Sequence, residues 1–140
     1  MKKSLKTAVL YIWQAPQVLL GYAMLLVMKI FHKSVVHFGT DPNGVQLWRS
    51  DGMRGAISLG MLTIHSNWNM GPADIRHELG HTKQSRILGP FYLIIIGIPS
   101  LLHAAFWKPD KGDYYAYWTE KWADKLGGIK RRIKRMTENA

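Results

Sequence analysis

The sequence predicts an α+β fold, with a small antiparallel β-sheet, two helices that carry polar motifs, an N-terminal membrane helix and a broken apolar hairpin. Two long apolar runs, a turn-rich segment with short β-prone pieces and two helical patterns indicate this fold. A chain of 140 residues makes one domain with a modest core. We divide it into a membrane anchor (1–33), a sheet (34–67), a first motif helix (73–88), an apolar hairpin (89–107), a second motif helix (113–127) and a basic tail (128–140).

The composition limits the chemistry that the chain can support. It has no cysteine, which excludes disulfides and thiolate metal sites, so any metal ligands must be His, Asp or Glu. The net charge of +10 accompanies long apolar runs and no recognisable RNA- or DNA-binding motif. We therefore expect membrane lipid as a partner, and no nucleic acid.

The N-terminal segment is basic over Met1–Lys6 and then largely apolar over Thr7–Phe31, long enough to span a bilayer. Pro16 interrupts the run, so a short interfacial helix up to Trp13 followed by an inserted helix over Gln17–Phe31 is equally compatible with it. No small-residue cleavage site follows the run, which favours a membrane anchor over a signal peptide.

Short β-prone pieces follow, separated by turn residues. Val35–Phe38 and Val45–Arg49 flank Asp41–Gly44, whose glycine suits the positive φ of a hairpin turn. A third strand is expected over Ala56–His65, close before the first motif helix. Such a strand can align a substrate peptide by β-augmentation, or it can simply cover the helix.

The first motif helix begins near Pro72, a residue suited to the first helical position, and contains the HExxH motif. His77 and His81 are four residues apart and share one helix face, so both can bind a single ion. Glu78 lies beside that ion and can accept a proton from a metal-bound water. This pattern predicts a zinc site with a Glu general base.

The second apolar run, Phe91–Trp107, is at the lower limit for crossing a membrane and contains Gly97 and Pro99 near its middle. We expect it to turn back as a re-entrant or interfacial hairpin, although a kinked span also fits. His103 within it is interpreted as a buried polar group.

The second motif helix is expected over Tyr114–Leu126, with Gly127 and Gly128 at its end. It carries Glu120 and Asp124 on one face. If this face meets the HExxH helix, Glu120 completes a His, His, Glu zinc site, and Asp124 accepts the second ring proton of a ligand histidine.

The sequences HELGH and EKWADKLG together resemble the membrane-bound gluzincin metallopeptidases of the HtpX and CAAX prenyl protease type. The resemblance implies zinc ligands at His77, His81 and Glu120, a general base at Glu78 and a supporting carboxylate at Asp124. It further implies a Tyr or His that stabilises the tetrahedral oxyanion. The candidates for this donor are, in order, Tyr117, Tyr114 and His65.

We therefore predict a membrane-associated zinc metallopeptidase that cleaves a peptide or protein substrate. Two alternatives remain at this point: a non-catalytic membrane module with a structural zinc site, and a metal-free basic protein that binds anionic lipid. Only three of the 19 Lys and Arg residues precede the first apolar run, which favours a cytoplasmic location for the site. The oligomeric state has no signal in the sequence.

Overall fold

Helices flank a four-stranded sheet in the computed structural model, which describes residues 2–131. The expected α+β class is confirmed. The basic tail predicted for 128–140 lies outside the described residues from position 132 onward. Over the described range the elements are α1 (Lys2–Trp13), α2 (Ala15–Ile30), β1 (Val35–Thr40), β2 (Gln46–Ser50), β3 (Ala56–Ser58), β4 (Leu62–His65), α3 (Pro72–Leu88), α4 (Ile98–Phe106) and α5 (Trp118–Leu126).

The hairpin between β1 and β2 forms around the predicted turn. Gly44 adopts φ +86, and the Asp41 carboxylate accepts hydrogen bonds from the backbone N–H groups of Asn43 and Val45 at 2.9 and 2.8 Å. This local polar network holds the turn closed. The two strands pair antiparallel as expected.

The sheet as a whole is mixed, so the prediction of an antiparallel sheet is wrong. The strand order is β1-β2-β4-β3, and β4 pairs parallel with β2 and antiparallel with β3. The single strand expected over Ala56–His65 is divided into β3 and β4 by a hairpin connection. All four residues of β4 are fully buried, which explains its central position between two neighbours. The edge strand beside the HExxH helix is therefore β3.

The N-terminal segment forms two helices that meet at a bend of 87° next to Pro16. Val18 and Leu25 of α2 pack against Leu62 and Ile64 of β4 and form the hydrophobic core with them. Between residues 2 and 131, no helix is by itself long and apolar enough to cross a membrane; α1 and α2 meet the criteria of length and composition only as a bent pair. The expected N-terminal membrane helix is therefore not supported. The division into a first helix that ends at Trp13 and a second helix agrees with the alternative interpretation of this segment.

The second apolar run does not turn back at Gly97 and Pro99, so the predicted hairpin is wrong. A π-helical turn over Leu93–Gly97 continues into α4, and the Ile98 N–H bonds to the Leu93 carbonyl. Pro99 is tolerated because it lies in the first turn of α4, where a missing N–H costs little. The chain reverses only after α4, through a segment with two 3₁₀ turns.

The sequence predicted the bounds of the first motif helix closely but placed the start of the second motif helix too early. α3 begins at Pro72 and ends at Leu88, close to the expected 73–88. α5 begins at Trp118 rather than near Tyr114, because Tyr114–Ala116 form a separate 3₁₀ turn. The Asp113 carboxylate accepts the Tyr115 N–H at 3.0 Å and stabilises that turn.

Candidate metal centre

Helices α3 and α5 pack so closely that their backbones touch. A Cβ atom added at Gly80 would lie 2.7 Å from the carbonyl carbon of Ala123 and closer still to its oxygen. Real Cβ atoms essentially never approach another atom within 3.0 Å. Gly80 of HELGH therefore has a structural role that the sequence analysis missed, because it permits the helix contact that brings the two motifs together.

This contact places three predicted ligand atoms around one point. Glu120 Oε2 lies 2.9 Å from His77 Nε2 and 3.0 Å from His81 Nε2. All three side chains are buried, and their donor atoms lie within 4.8 Å of one another. The structure thus brings together the residues that the sequence proposed as a His, His, Glu set, and this group could hold a metal ion.

The donor set fits a zinc ion in both chemistry and spacing. Two imidazole nitrogens and one carboxylate oxygen are ligands that zinc accepts, and three protein ligands leave a fourth position open. Donor atoms that share a tetrahedral zinc ion lie about 3.3 Å apart, as bond lengths of roughly 2.0–2.2 Å require. Glu120 Oε2 needs to separate from each of the two histidine Nε2 atoms by only a few tenths of an ångström to reach that spacing.

The remaining ring nitrogens also have hydrogen-bond partners, which fix the orientation of both imidazoles. His77 Nδ1 lies 2.7 Å from Asp124 Oδ1, and His81 Nδ1 lies 2.7 Å from Gln84 Oε1. Asp124 has the position predicted for it. Gln84 was missed, although its place three residues after His81 on the same helix is a usable signal. With these partners, both Nε2 atoms can point toward a metal.

Arg131 is a further participant that the sequence did not reveal. Its Nε and Nη2 atoms donate to the two oxygens of Asp124 at 2.6 and 3.2 Å, and its guanidinium lies 3.4 Å from the centroid of the Tyr115 ring. A bidentate ion pair of this kind restrains the carboxylate that holds His77. The segment after α5 therefore supports the cluster.

Glu78 lines the same cavity as the three ligand residues but belongs to a different hydrogen-bond network. Its carboxylate lies 2.7 Å from the hydroxyl of Ser58, the last residue of β3. The Ser58 carbonyl in turn accepts a hydrogen bond from the Tyr92 hydroxyl at 3.1 Å. Ser58 and Tyr92 were not predicted as site residues. Ser58 ties the HExxH helix to the edge strand, and Tyr92 ties the segment after α3 to the same strand.

The pKa values of His77, His81 and Glu120 are shifted by burial and by the attraction between the histidines and the carboxylates. Burial lowers the pKa of His81, but the hydrogen bond to Glu120 and the charges of Glu78 and Glu120 outweigh burial and raise this pKa to about 9. For His77, burial lowers the pKa, and the hydrogen bond to Glu120 and the Glu78 charge reverse the effect, so its pKa is also raised. Burial raises the pKa of Glu120, but both histidines hold it well below its usual range.

These shifts determine how the metal-free fold depends on pH. The His81 proton stabilises the fold fully below its ordinary pKa of 6.5, and this contribution is lost as the pH rises through about 9. The Glu120 charge stabilises the fold fully above its ordinary pKa of 4.5, and this contribution is lost as the pH falls through the lowered value. Both contributions are complete between pH 4.5 and 6.5.

The proposed oxyanion donors have different surroundings. Tyr117, the first candidate, does not line the cavity that contains the cluster; its ring stacks on His103 with the centroids 4.3 Å apart. His65 is buried, with its two ring nitrogens 2.9 Å from Thr63 Oγ1 and 2.8 Å from the Asn69 carbonyl. Tyr114 does line the cavity. The position of Tyr117 therefore does not support the role predicted for it.

No protein-family model, curated protein or solved structure matches this chain. The resemblance to membrane-bound gluzincins therefore has no support beyond the two motifs and their spacing.

Proposed function

We propose that this protein is a membrane-associated zinc metallopeptidase. The observation that carries the proposal is the position of Glu120 Oε2 within 3.0 Å of the Nε2 atoms of both HExxH histidines, with the Glu78 carboxylate in the same cavity. Three buried protein ligands together with a further carboxylate in the same cavity are the set that hydrolytic zinc sites use. His77, His81 and Glu120 would hold the ion.

Zinc would supply a Lewis acid and a bound water with a pKa near about 7. Glu78 accepts the proton of the attacking water and returns it to the leaving amine. The hydrogen bond from Ser58 restrains this carboxylate and keeps it beside the ligand atoms. Tyr114 is the oxyanion donor we propose in place of Tyr117, since its side chain lines the same cavity.

The edge strand β3 provides a surface for an extended peptide. Leu59 donates its N–H to the Leu62 carbonyl, and Ser66 donates to Gly55, so hydrogen-bonded pairs with β4 occur at odd-numbered residues of β3. The backbone groups of Ala56 and Ser58 consequently face away from β4, toward the side on which the cavity lies. The Ser58 carbonyl already accepts the Tyr92 hydroxyl, so a substrate backbone can pair by β-augmentation with the Ala56 groups and the Ser58 N–H.

Membrane association is supported by apolar side chains on three helices. Ile12 of α1 is 76% exposed, Leu19 of α2 is 69% exposed and Leu101 of α4 is 65% exposed. No residue of α4 is buried within the described part of the chain. A large apolar surface together with a net charge of +10 fits the anionic cytoplasmic leaflet. We place the protein on that face of the membrane.

Metal content and peptide cleavage test the proposal. Purified wild-type protein should contain one zinc ion per chain, and replacing both His77 and His81 with Ala should remove it. Glu78→Gln should retain the zinc and lose at least about 100-fold of the cleavage rate, the usual contribution of a general base. A zinc content well below one per chain that does not change in the double variant would refute the site.

A structural zinc clamp is the second function that the geometry favours, because Glu120 on α5 joins two residues of α3. The same experiment separates the two functions. In the clamp, Glu78→Gln leaves metal content and thermal stability unchanged, and neither variant nor wild type cleaves peptides.

A further inference from the structure

The metal cluster lies in a cavity of about 1020 Å³, at the upper end of the range of roughly 300–1,000 Å³ typical of ligand sites. His77, Glu78, His81 and Glu120 form part of its wall. Most of the remaining wall is apolar, and it comes from α2, the π-helical turn, α4 and the segment that includes β3. The cavity is therefore much larger than a metal and a water require, and its chemistry away from the cluster is that of a site for apolar groups.

The mouth of the cavity can be located from side chains that line it and are also exposed. Leu20 of α2 is 43% exposed, and Ile98 and Leu101 of α4 are 52% and 65% exposed. A side chain with both properties lies at the rim. The mouth therefore opens between α2 and α4, where its edge is apolar, and it extends to Arg54, which also lines the cavity and is exposed.

Apolar surface continues outward from this rim. Leu19 of α2 and Leu102 and Phe106 of α4 are exposed beside the lining residues of the same helices. Exposed lysines occur near the helix ends, at Lys2, Lys3 and Lys6 of α1, at Lys29 and Lys33 after the apolar part of α2, and at Lys108 and Lys111 after α4. An apolar face bordered by cations complements an anionic bilayer, with acyl chains against the face and phosphates against the lysines.

From this arrangement we infer that the substrate is a peptide with a run of large apolar side chains, which enters the cavity between α2 and α4 from the lipid side. The inference rests on the proposed peptidase function. The polar wall and the edge of β3 contact the substrate backbone, while the apolar wall contacts its side chains. A soluble, polar peptide lacks the groups that this wall binds.

Two neighbouring alanines of α4 provide a matched test. Ala104 lines the cavity and Ala105 does not, and both are exposed. Each is changed to Trp in the Glu78→Gln background, so that binding is measured without cleavage. The probe is a fluorescent ten-residue peptide with five central leucines, titrated in neutral detergent; a matched peptide with five serines measures the apolar contribution.

We expect the leucine peptide to bind at least tenfold more tightly than the serine peptide. Ala104→Trp should weaken leucine-peptide binding at least tenfold, and Ala105→Trp should leave it at the Glu78→Gln level. Equal binding of the two peptides, or equal effects of the two Trp changes, would overturn the inference. If Ala104→Trp does not fold, Leu101→Lys replaces it as the test variant, because Leu101 lines the cavity. Leu102→Lys then replaces Ala105→Trp as the control, because Leu102 does not line the cavity.

A second arm separates peptide from lipid as the occupant. Pyrene-labelled phosphatidylglycerol is titrated against the same variants. If Ala104→Trp weakens binding of the labelled lipid but not of the leucine peptide, the cavity holds an acyl chain and the inference fails. Zinc content and wild-type cleavage are measured separately, so a failed peptidase with intact peptide binding is distinguishable from a failed cavity assignment.

Discussion

Replacing Gly80 with Ala tests the helix contact on which the metal centre depends. The added Cβ would lie 2.7 Å from the Ala123 carbonyl carbon and closer to the oxygen, so α3 and α5 must separate. Overpacking of this kind costs about 2–3 kcal/mol when a backbone group must move. The higher helix propensity of Ala offsets about 1 kcal/mol. The net loss of about 1–2 kcal/mol corresponds to a fall in Tm of roughly 3–6 °C for a chain of this size.

The same separation should weaken metal binding, because metal ligands tolerate displacements of only roughly 0.5 Å. We expect the zinc dissociation constant of Gly80→Ala to rise at least about tenfold, by analogy with changes that disturb ligand orientation. Thermal melts of metal-free protein by circular dichroism and zinc titration against a competing chelator measure the two effects.

Gly97→Ala is the control, since its added Cβ would meet Leu93 Cδ2 at 3.4 Å, an ordinary contact. Its Tm should stay at the wild-type value or rise. The packing of α3 on α5 is refuted if Gly80→Ala melts at the wild-type temperature and binds zinc with wild-type affinity.

Three further predictions concern groups around the cluster. Asp124→Asn should raise the zinc dissociation constant about 10–100-fold, because His77 loses its charged acceptor; chelator competition measures this. Ser58→Ala should lower kcat roughly tenfold with unchanged zinc content, because Glu78 loses its restraint; steady-state kinetics on a fluorogenic peptide measure this. As the pH rises from 6.5 to about 9, the pKa of His81, metal-free protein should lose thermal stability and the zinc affinity should increase. Thermal melts measure the stability, and calorimetry in buffers of different ionisation enthalpy measures the zinc affinity.

Each of these predictions has a matched control. Asp110→Asn changes an exposed carboxylate and should leave zinc affinity unaltered, so equal effects at Asp110 and Asp124 would contradict the role of the latter. Ser34→Ala should have wild-type kinetics; a change in zinc content in Ser58→Ala would show that Ser58 supports the metal ligands rather than Glu78. His81→Gln should lower the stability slope above pH 6.5, with His77 as the remaining contributor, and a slope equal to the wild-type slope would assign it to other groups.

Features set by local periodicity were predictable from the sequence. The spacing of four residues places His77 beside His81 and Glu120 beside Asp124 on any helix, whatever the rest of the fold. The turn at Asp41–Gly44 and the helix start at Pro72 follow from the same kind of local chemistry. These signals were sufficient for the α+β class and for all three candidate metal ligands.

Features that depend on contacts distant in sequence were decided by the tertiary structure. β4 lies in the centre of a mixed sheet because its buried residues need neighbours on both edges, which strand patterning alone does not specify. The reversal after α4 replaces the expected hairpin because a π-helical turn accommodates Gly97 and Pro99. Tyr114 and Tyr117 both stack on His103, but only Tyr114 lines the cavity, a difference that no spacing in the sequence specifies.

The HExxH motif and the pair Glu120 and Asp124 determined by themselves which side chains can act together, because helical periodicity fixes the direction of residues four apart. Whether the two helices meet was decided by the tertiary structure, through the bare backbone of Gly80 against Ala123. The supports at Gln84, Ser58 and Arg131 depend on that packing as well. Local sequence specifies directions along a single element, whereas only packing specifies the distances between elements, and a metal centre needs both.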